Sequence, residues 1–164
     1  MLAPLRHFGD LAAGGLLCAA LLLAGCNTAG SKQESLYQRL SGEWRLERIE
    51  GGGFDYSATI AERYPSGVRL TFQETDGGRT YTIVGQTGRD SLRVLAQGRV
   101  ALSGENVLGM PSGFSRRVMW RYRFPTSTRV LLESERGARA FLAALLPGEG
   151  APQDLQMTLA RTER

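Results

Sequence analysis

The stretch Leu40-Ser41-Gly42-Glu43-Trp44-Arg45-Leu46 decides the fold of this 164-residue chain. Ser41-Gly42 reads as a tight turn, and strand-type alternation begins at once behind it. That alternation puts Trp44 and Leu46 on one face and Glu43 and Arg45 on the other. A tryptophan so placed has to be covered, and the chain from there to Arg164 reads as further short strands that close over the ring.

Downstream of the opening strand, Gly51-Gly52-Gly53 is a break. The segment from Phe54 to Gly67 carries Phe54, Tyr56, Ile60 and Tyr64, with a short helix over 58–63 and a turn at Pro65-Ser66-Gly67. An aromatic-rich connection of this length either lids a barrel mouth or plugs the core. Alternation then resumes, with Val68, Leu70 and Phe72 against Arg69, Thr71 and Gln73. Asp76-Gly77-Gly78 turns the chain into a return strand carrying Tyr81 and Ile83.

Ser91 to Ala96 and Gly98 to Leu102 read as two short strands, or as one strand bent at Gln97-Gly98. Ser103 to Ser115, rich in Gly, Pro and Ser, reads as loop. Arg117 to Phe124 is the plainest strand of all: Val118, Trp120, Tyr122 and Phe124 share one face, and Arg117, Arg121 and Arg123 the other, with Met119 the apolar exception among them. Pro125-Thr126-Ser127 leads into a strand over Thr128 to Glu133. Ala138, Phe141, Leu142, Leu145 and Leu146 switch to helical spacing, and Pro147-Gly148-Glu149-Gly150 stops that helix. A last strand over Asp154 to Thr162 puts Leu155, Met157, Leu159 and Arg161 at one parity. Seven to nine half-buried strands with turn signals between them predict an antiparallel all-β sandwich or barrel.

Upstream, Glu34 to Leu40 has the spacing for a turn or two of helix, with Leu36, Tyr37 and Leu40 on one side. Asn27 to Glu34 is small and polar, as a flexible tether would be. Leu11 to Gly25 is an apolar run of about fifteen residues, short of the roughly twenty that span a bilayer but long enough for the core of a secretory signal. An ordinary cleaved signal or an uncleaved anchor has the same run.

The cysteine and histidine inventory is equally informative. Cys18 and Cys26 are the two cysteines, and the single histidine is His7. A chain starting at Cys26 has no histidine and no cysteine beyond its first residue. Ser-His-Asp and Cys-His nucleophile chemistry, and zinc or copper sites built on His or Cys, are excluded there. Asp and Glu fall mostly in turns and strand ends, where turn chemistry accounts for them. We expect no enzyme, no cofactor and no metal site. The formal charge is +4, nearly all of the positive charge is arginine, and Lys32 is the sole lysine. The basic residues alternate with apolar ones along the strands and do not cluster, so nucleic acid is not an expected partner.

Two sets of residues resemble known families. Leu23-Ala24-Gly25-Cys26 resembles the lipobox of bacterial lipoproteins, which implies cleavage before Cys26 and acylation of that residue. Asn27, not Asp, follows it, which implies the outer membrane. Each buried methylene of the acyl chains adds about 0.8 kcal/mol of anchoring. Gly42-Glu43-Trp44, with the all-strand pattern and a late inward-facing Arg161, resembles the opening of small bacterial lipocalin-like domain lipoproteins. That resemblance implies an up-and-down barrel of about eight strands with one short helix. Trp44 would lie at the closed end with Arg161 across its indole, a fold-marking pair. The helix near Phe141 departs from the pattern because it precedes the final strand.

The expected organisation is a lipoprotein signal peptide over 1–25, lipidated Cys26 and tether over 26–34, and the barrel over 35–164. Three roles fit such a chain. The first is a membrane-anchored module that binds a small hydrophobic ligand inside the barrel, lined by Phe72, Tyr81, Trp120, Tyr122 and Phe124, with Tyr56 or Tyr64 from the lid. The second is an envelope structural or protein-interaction lipoprotein with a filled barrel and a working outer face, for which the row Arg117, Arg121 and Arg123 is the patch, unless that row is a solvated strand face. The third, an enzyme, has little in the sequence to build on.

Overall fold

The computed structural model describes residues 34–88, 91–103, 107–111, 117–149 and 152–162. Residues 1–33, which hold the expected signal peptide, Cys26 and most of the expected tether, lie outside the described residues. The chain divides into two units at Leu36/Tyr37, and the described part of the first is the opening turn of a helix over 34–40, here α1.

From Tyr37 onward the chain is an antiparallel barrel. Its strands are β1 (Gly42–Gly51), β2 (Phe54–Asp55), β3 (Val68–Thr75), β4 (Gly78–Gln86), β5 (Leu92–Arg99), β6 (Ala101–Ser103), β7 (Val107–Pro111), β8 (Arg117–Thr126), β9 (Arg129–Arg136) and β10 (Gln156–Arg161). Two further helices are α2 (Ser57–Arg63) and α3 (Ala138–Leu145).

The hydrogen-bonded order is β5-β4-β3-β1-β10-β9-β8-β7-β6, with β2 pairing only β1. Neighbours on this path follow one another in sequence, apart from the β1–β10 pair that joins the first strand to the last. The two ends of the path, β5 and β6, are separated by the single residue Val100. They form one strand with a kink that pairs β4 on its first part and β7 on its second. The result is a nearly closed up-and-down barrel of nine strands, or eight if the kinked strand is taken as one. The bend falls at Val100, two residues beyond the expected Gly98. The segment 103–115, expected as loop, contains β7. Its Leu108 and Met110 face the core, while Gly109 sits where an added Cβ would be 3.4 Å from the Ala101 carbonyl and from the Met119 sulfur.

The core is filled by the alternating faces. Trp44, Ile49, Leu70, Phe72, Ile83, Leu108, Val118, Trp120, Val130, Leu132, Met157 and Leu159 are all buried. One expected pairing of faces changes along β1. Trp44 is buried but Leu46 only half so, and Ile49 is the next fully buried side chain. The reason is a bulge: the register with β10 runs Leu46↔Leu159 and then Arg48↔Thr158, leaving Glu47 as an extra residue. An extra residue reverses the parity beyond it.

Register fixes which helix closes which end. Trp44 is opposite Arg161, so the start of β1 and the end of β10 mark one end, the floor, where α1 lies. β9 starts beside that end, at Arg129 opposite Ala160, and finishes at Arg136 at the far end, the mouth. There α3 leaves the sheet, and Phe141, Leu142 and Leu145 are buried beneath it. α2 comes from the same end of β1 and buries Ile60, with Tyr56 and Tyr64 buried on either side of it.

Candidate functional site

The floor is built on the backbone of α1. The last carbonyls of a helix have no partner within it and need one from outside. Here the first and last strands of the barrel supply three donors to the end of α1 and the residue after it. The Trp44 indole Nε1–H donates to the Leu40 carbonyl at 2.7 Å. Arg161 donates through Nη1 to the Ser41 carbonyl at 3.3 Å, and through Nη2 to the Arg39 carbonyl. The guanidinium carbon of Arg161 lies 4.5 Å from the centroid of the Trp44 ring. The pair therefore acts as a C-terminal cap, a cation placed where the helix dipole is negative. A helix this short does not stand alone in water. Buried Tyr37 and Leu40 hold it down, with Arg79 over the Tyr37 ring at 4.3 Å and Arg39 over the Phe124 ring at 4.2 Å. Gly42, with φ +119°, makes the turn between helix and strand.

Above the floor lie the five predicted ligand-lining residues. Phe72 and Tyr81 are directly opposite each other on β3 and β4, and both are buried. Trp120, Tyr122 and Phe124 alternate inward along β8; the first two are buried and Phe124 is half-buried under Arg39. Phe124 meets the Tyr122 ring edge-on at 5.9 Å and lies 6.3 Å from Trp44, so floor and wall form one aromatic cluster. Trp120 is nearer the mouth, edge-on to Phe141 of α3 at 4.9 Å. Burial pushes the Tyr81 phenol up to about 12 and raises Tyr122 in the same sense. Both rings are neutral at neutral pH, and among the described residues no charged side chain is buried.

Trp120 has a property its sequence position did not announce. Its ring is fully buried, and among the described residues its Nε1–H has no hydrogen-bond partner. A buried donor left unmet costs about 1–3 kcal/mol.

At the mouth, the Tyr64 hydroxyl donates to the Leu145 carbonyl at 2.9 Å, tying the end of α2 to the end of α3. The Tyr64 ring lies against Gly85 so closely that a Cβ there would stand 2.5 Å from two ring carbons. Tyr56 and Tyr64 are both buried, whereas Phe54 is 68% exposed and takes no part in the cover.

Two arginines of the expected outer row, Arg121 and Arg123, are paired to their neighbours, and the Arg117 side chain lies outside the description. Arg121 reaches Glu135 at 2.8 Å and Arg123 reaches Glu133 at 3.2 Å, both across the β8–β9 ladder. Depressions open on the outside. One of 850 Å³ lies at the floor beside Thr71, Thr128 and Arg161, and one of 470 Å³ lies beside the Gly51–Gly53 turn. Another of 680 Å³ lies beside Arg129, and one of 160 Å³ lies between β1, β3 and α2. None of these four is lined by the five predicted residues.

No protein-family model matches the chain, and no curated protein matches it. Among solved structures, the chain is similar to a redesigned β-barrel, b11L5F_LGL. The two are 14% identical with a TM-score of 0.47, over 77% of this chain and 95% of that one. It is also similar to EF1p2_mFAP2b bound to DFHBI, 15% identical with a TM-score of 0.43, over 76% of this chain and 95% of that one.

Proposed function

We propose that this chain is a lipocalin-like envelope lipoprotein, held by acyl chains on Cys26 in the outer membrane, whose barrel binds a small, largely apolar ligand bearing one hydrogen-bond acceptor. The observation that carries this reading is the unmet Nε1–H of Trp120, buried at the mouth end of an aromatic wall. A carbonyl, ether or ester oxygen beside it would remove the cost of that buried donor, and the surrounding rings would take the apolar remainder. The neutral tyrosines favour an uncharged group at depth. The role is binding, with no catalytic step.

Native mass spectrometry of the full chain, purified from its own envelope, tests the reading. A co-purifying small molecule, lost from Trp120→Phe while the fold is retained, supports it. A clean apo mass from repeated preparations overturns it. Metabolic labelling with palmitate, abolished in Cys26→Ser, tests the anchor separately. A second reading, a filled barrel that works through its outer face, is favoured by Leu92 and Val94, which stand 61% and 55% exposed on β5.

A further inference from the structure

β1 and β3 part company halfway up the barrel. Their ladder runs from Gly42↔Phe72 to Arg45↔Arg69 and stops there, while β1 continues to Gly51. The bulge at Glu47 lies just beyond the last rung. Above it, the α2 segment takes over as the neighbour of β1: the Tyr56 amide donates to the Ile49 carbonyl at 2.9 Å, and the Ile49 amide donates to the Ser57 hydroxyl at 3.1 Å. Between the end of the ladder and this second attachment the wall has a slot of 160 Å³. At about 30 Å³ per water-sized volume, the slot has room for the end of one hydrocarbon chain.

The lining sorts by depth. Ile49, Ile60, Tyr64 and Val68 border the slot and are also core residues, so its inner end is apolar. The rim is charged, and most of the charge is spoken for. Glu47 is held by Arg129 at 3.1 Å, and Arg48 by Glu50 at 2.9 Å and Asp55 at 3.4 Å. Arg45 remains. It is exposed at the rim, its Nε lies 3.7 Å from where a Cβ on Gly67 would be, and among the described residues no carboxylate pairs with it. A polar-rimmed slot with apolar side chains at its inner end and one uncompensated guanidinium at its edge matches an amphiphile with a single chain and an anionic head.

We infer that the β1/β3 slot beneath α2 is a side site for a single acyl chain, with Arg45 holding its carboxylate. The site is separate from the barrel interior and stands or falls independently of the reading above. Decanoate carrying a diazirine on its chain is the probe, photolysed with the full chain and mapped by peptide mass spectrometry. Labelling is expected on residues 46–49 and 60–68. Arg45→Gln lowers labelling by the carboxylate roughly threefold to fivefold, the range of a half-exposed ion pair. It leaves labelling by the matching diazirine alcohol unchanged. Ala61→Phe, a change at an exposed position of α2 that lines the slot, blocks both probes. Labels confined to Trp120–Phe124 would place the chain in the barrel interior and overturn the side site. Labels scattered over the outer surface, or unaffected by Ala61→Phe, would also overturn it. Labels on 46–49 and 60–68 from a chain that never co-purifies with a ligand would keep the side site and remove the interior one.

Discussion

Replacing Arg161 by methionine keeps the aliphatic stem over the indole and removes the charge. Three interactions go with it: the guanidinium over the Trp44 ring at 4.5 Å, the bond to the Ser41 carbonyl at 3.3 Å, and the bond to the Arg39 carbonyl. Arg161 is half-buried, so each is set at the low end of its range, about 0.5–1 kcal/mol. The sum is about 2 kcal/mol of stability. With an m-value of about 2 kcal/mol/M in urea, the unfolding midpoint falls by about 1 M. Tryptophan emission follows the transition, and amide exchange should show α1 opening before the barrel. Trp44→Phe supplies the other arm of a double-mutant cycle, in which the two changes together cost about 0.5–1 kcal/mol less than their sum. A midpoint shift below about 0.2 M, or strict additivity with Trp44→Phe, refutes the view that this pair clamps the floor.

Further outcomes follow from the mouth and the wall. Gly85→Ala forces a methyl against the Tyr64 ring and should cost about 1–3 kcal/mol, while the same change in a Tyr64→Ala background should be nearly neutral; thermal melts of the four proteins decide it. Tyr64→Phe removes the bond to Leu145 and should cost about 1 kcal/mol, with exchange at the end of α3 rising more than in the strands. Tyr81 gives a pH test. Its folded pKa of about 12 lies above the value near 10 of an unfolded tyrosine. Between those values the unfolded chain has lost a proton that the folded one keeps, so stability falls as pH rises through that window. Urea midpoints from pH 9 to 12 should decline less steeply in Tyr81→Phe, and equal slopes would sink the assignment. Trp120→Phe deletes an unmet donor but also removes ring volume from a packed wall, so the apo protein should lose less than about 2 kcal/mol in a thermal melt, and a larger loss would count against an unmet donor.

How much of this was legible in the sequence depends on the range of the interaction. Parity within a strand is local, so the inward faces of β3, β4 and β8 and the inward parity of Arg161 could be read directly, whereas its place beside Trp44 was implied only by the lipocalin-like resemblance. Parity across a bulge is not. Nothing in Leu46-Glu47-Arg48 marks the extra residue that brings Ile49 inward, because the bulge is defined by the partner strand. β7 was hidden by composition: Val107-Leu108-Gly109-Met110-Pro111 looks like loop, yet Gly109 sits in the β6–β7–β8 ladder within contact distance of Ala101 and Met119. The tie from Tyr64 to Leu145 spans 81 positions and ends on a carbonyl, which every residue has. The side slot could not be foreseen because it comes from where a ladder ends.

The pairing of β1 with β10 has a consequence for how the chain reaches its final form. The ring cannot be sealed until residues 156–161 exist. Until then the flank of β1 that pairs β10, and the facing edge of β9, are raw strand borders open to any passing partner. Long-range closure of this kind is also slow. A chain cut short before Gln156 should therefore retain most of its meander and yet be captured by chaperones or aggregate. Short peptides copying 156–161 should rescue it by completing the missing stave.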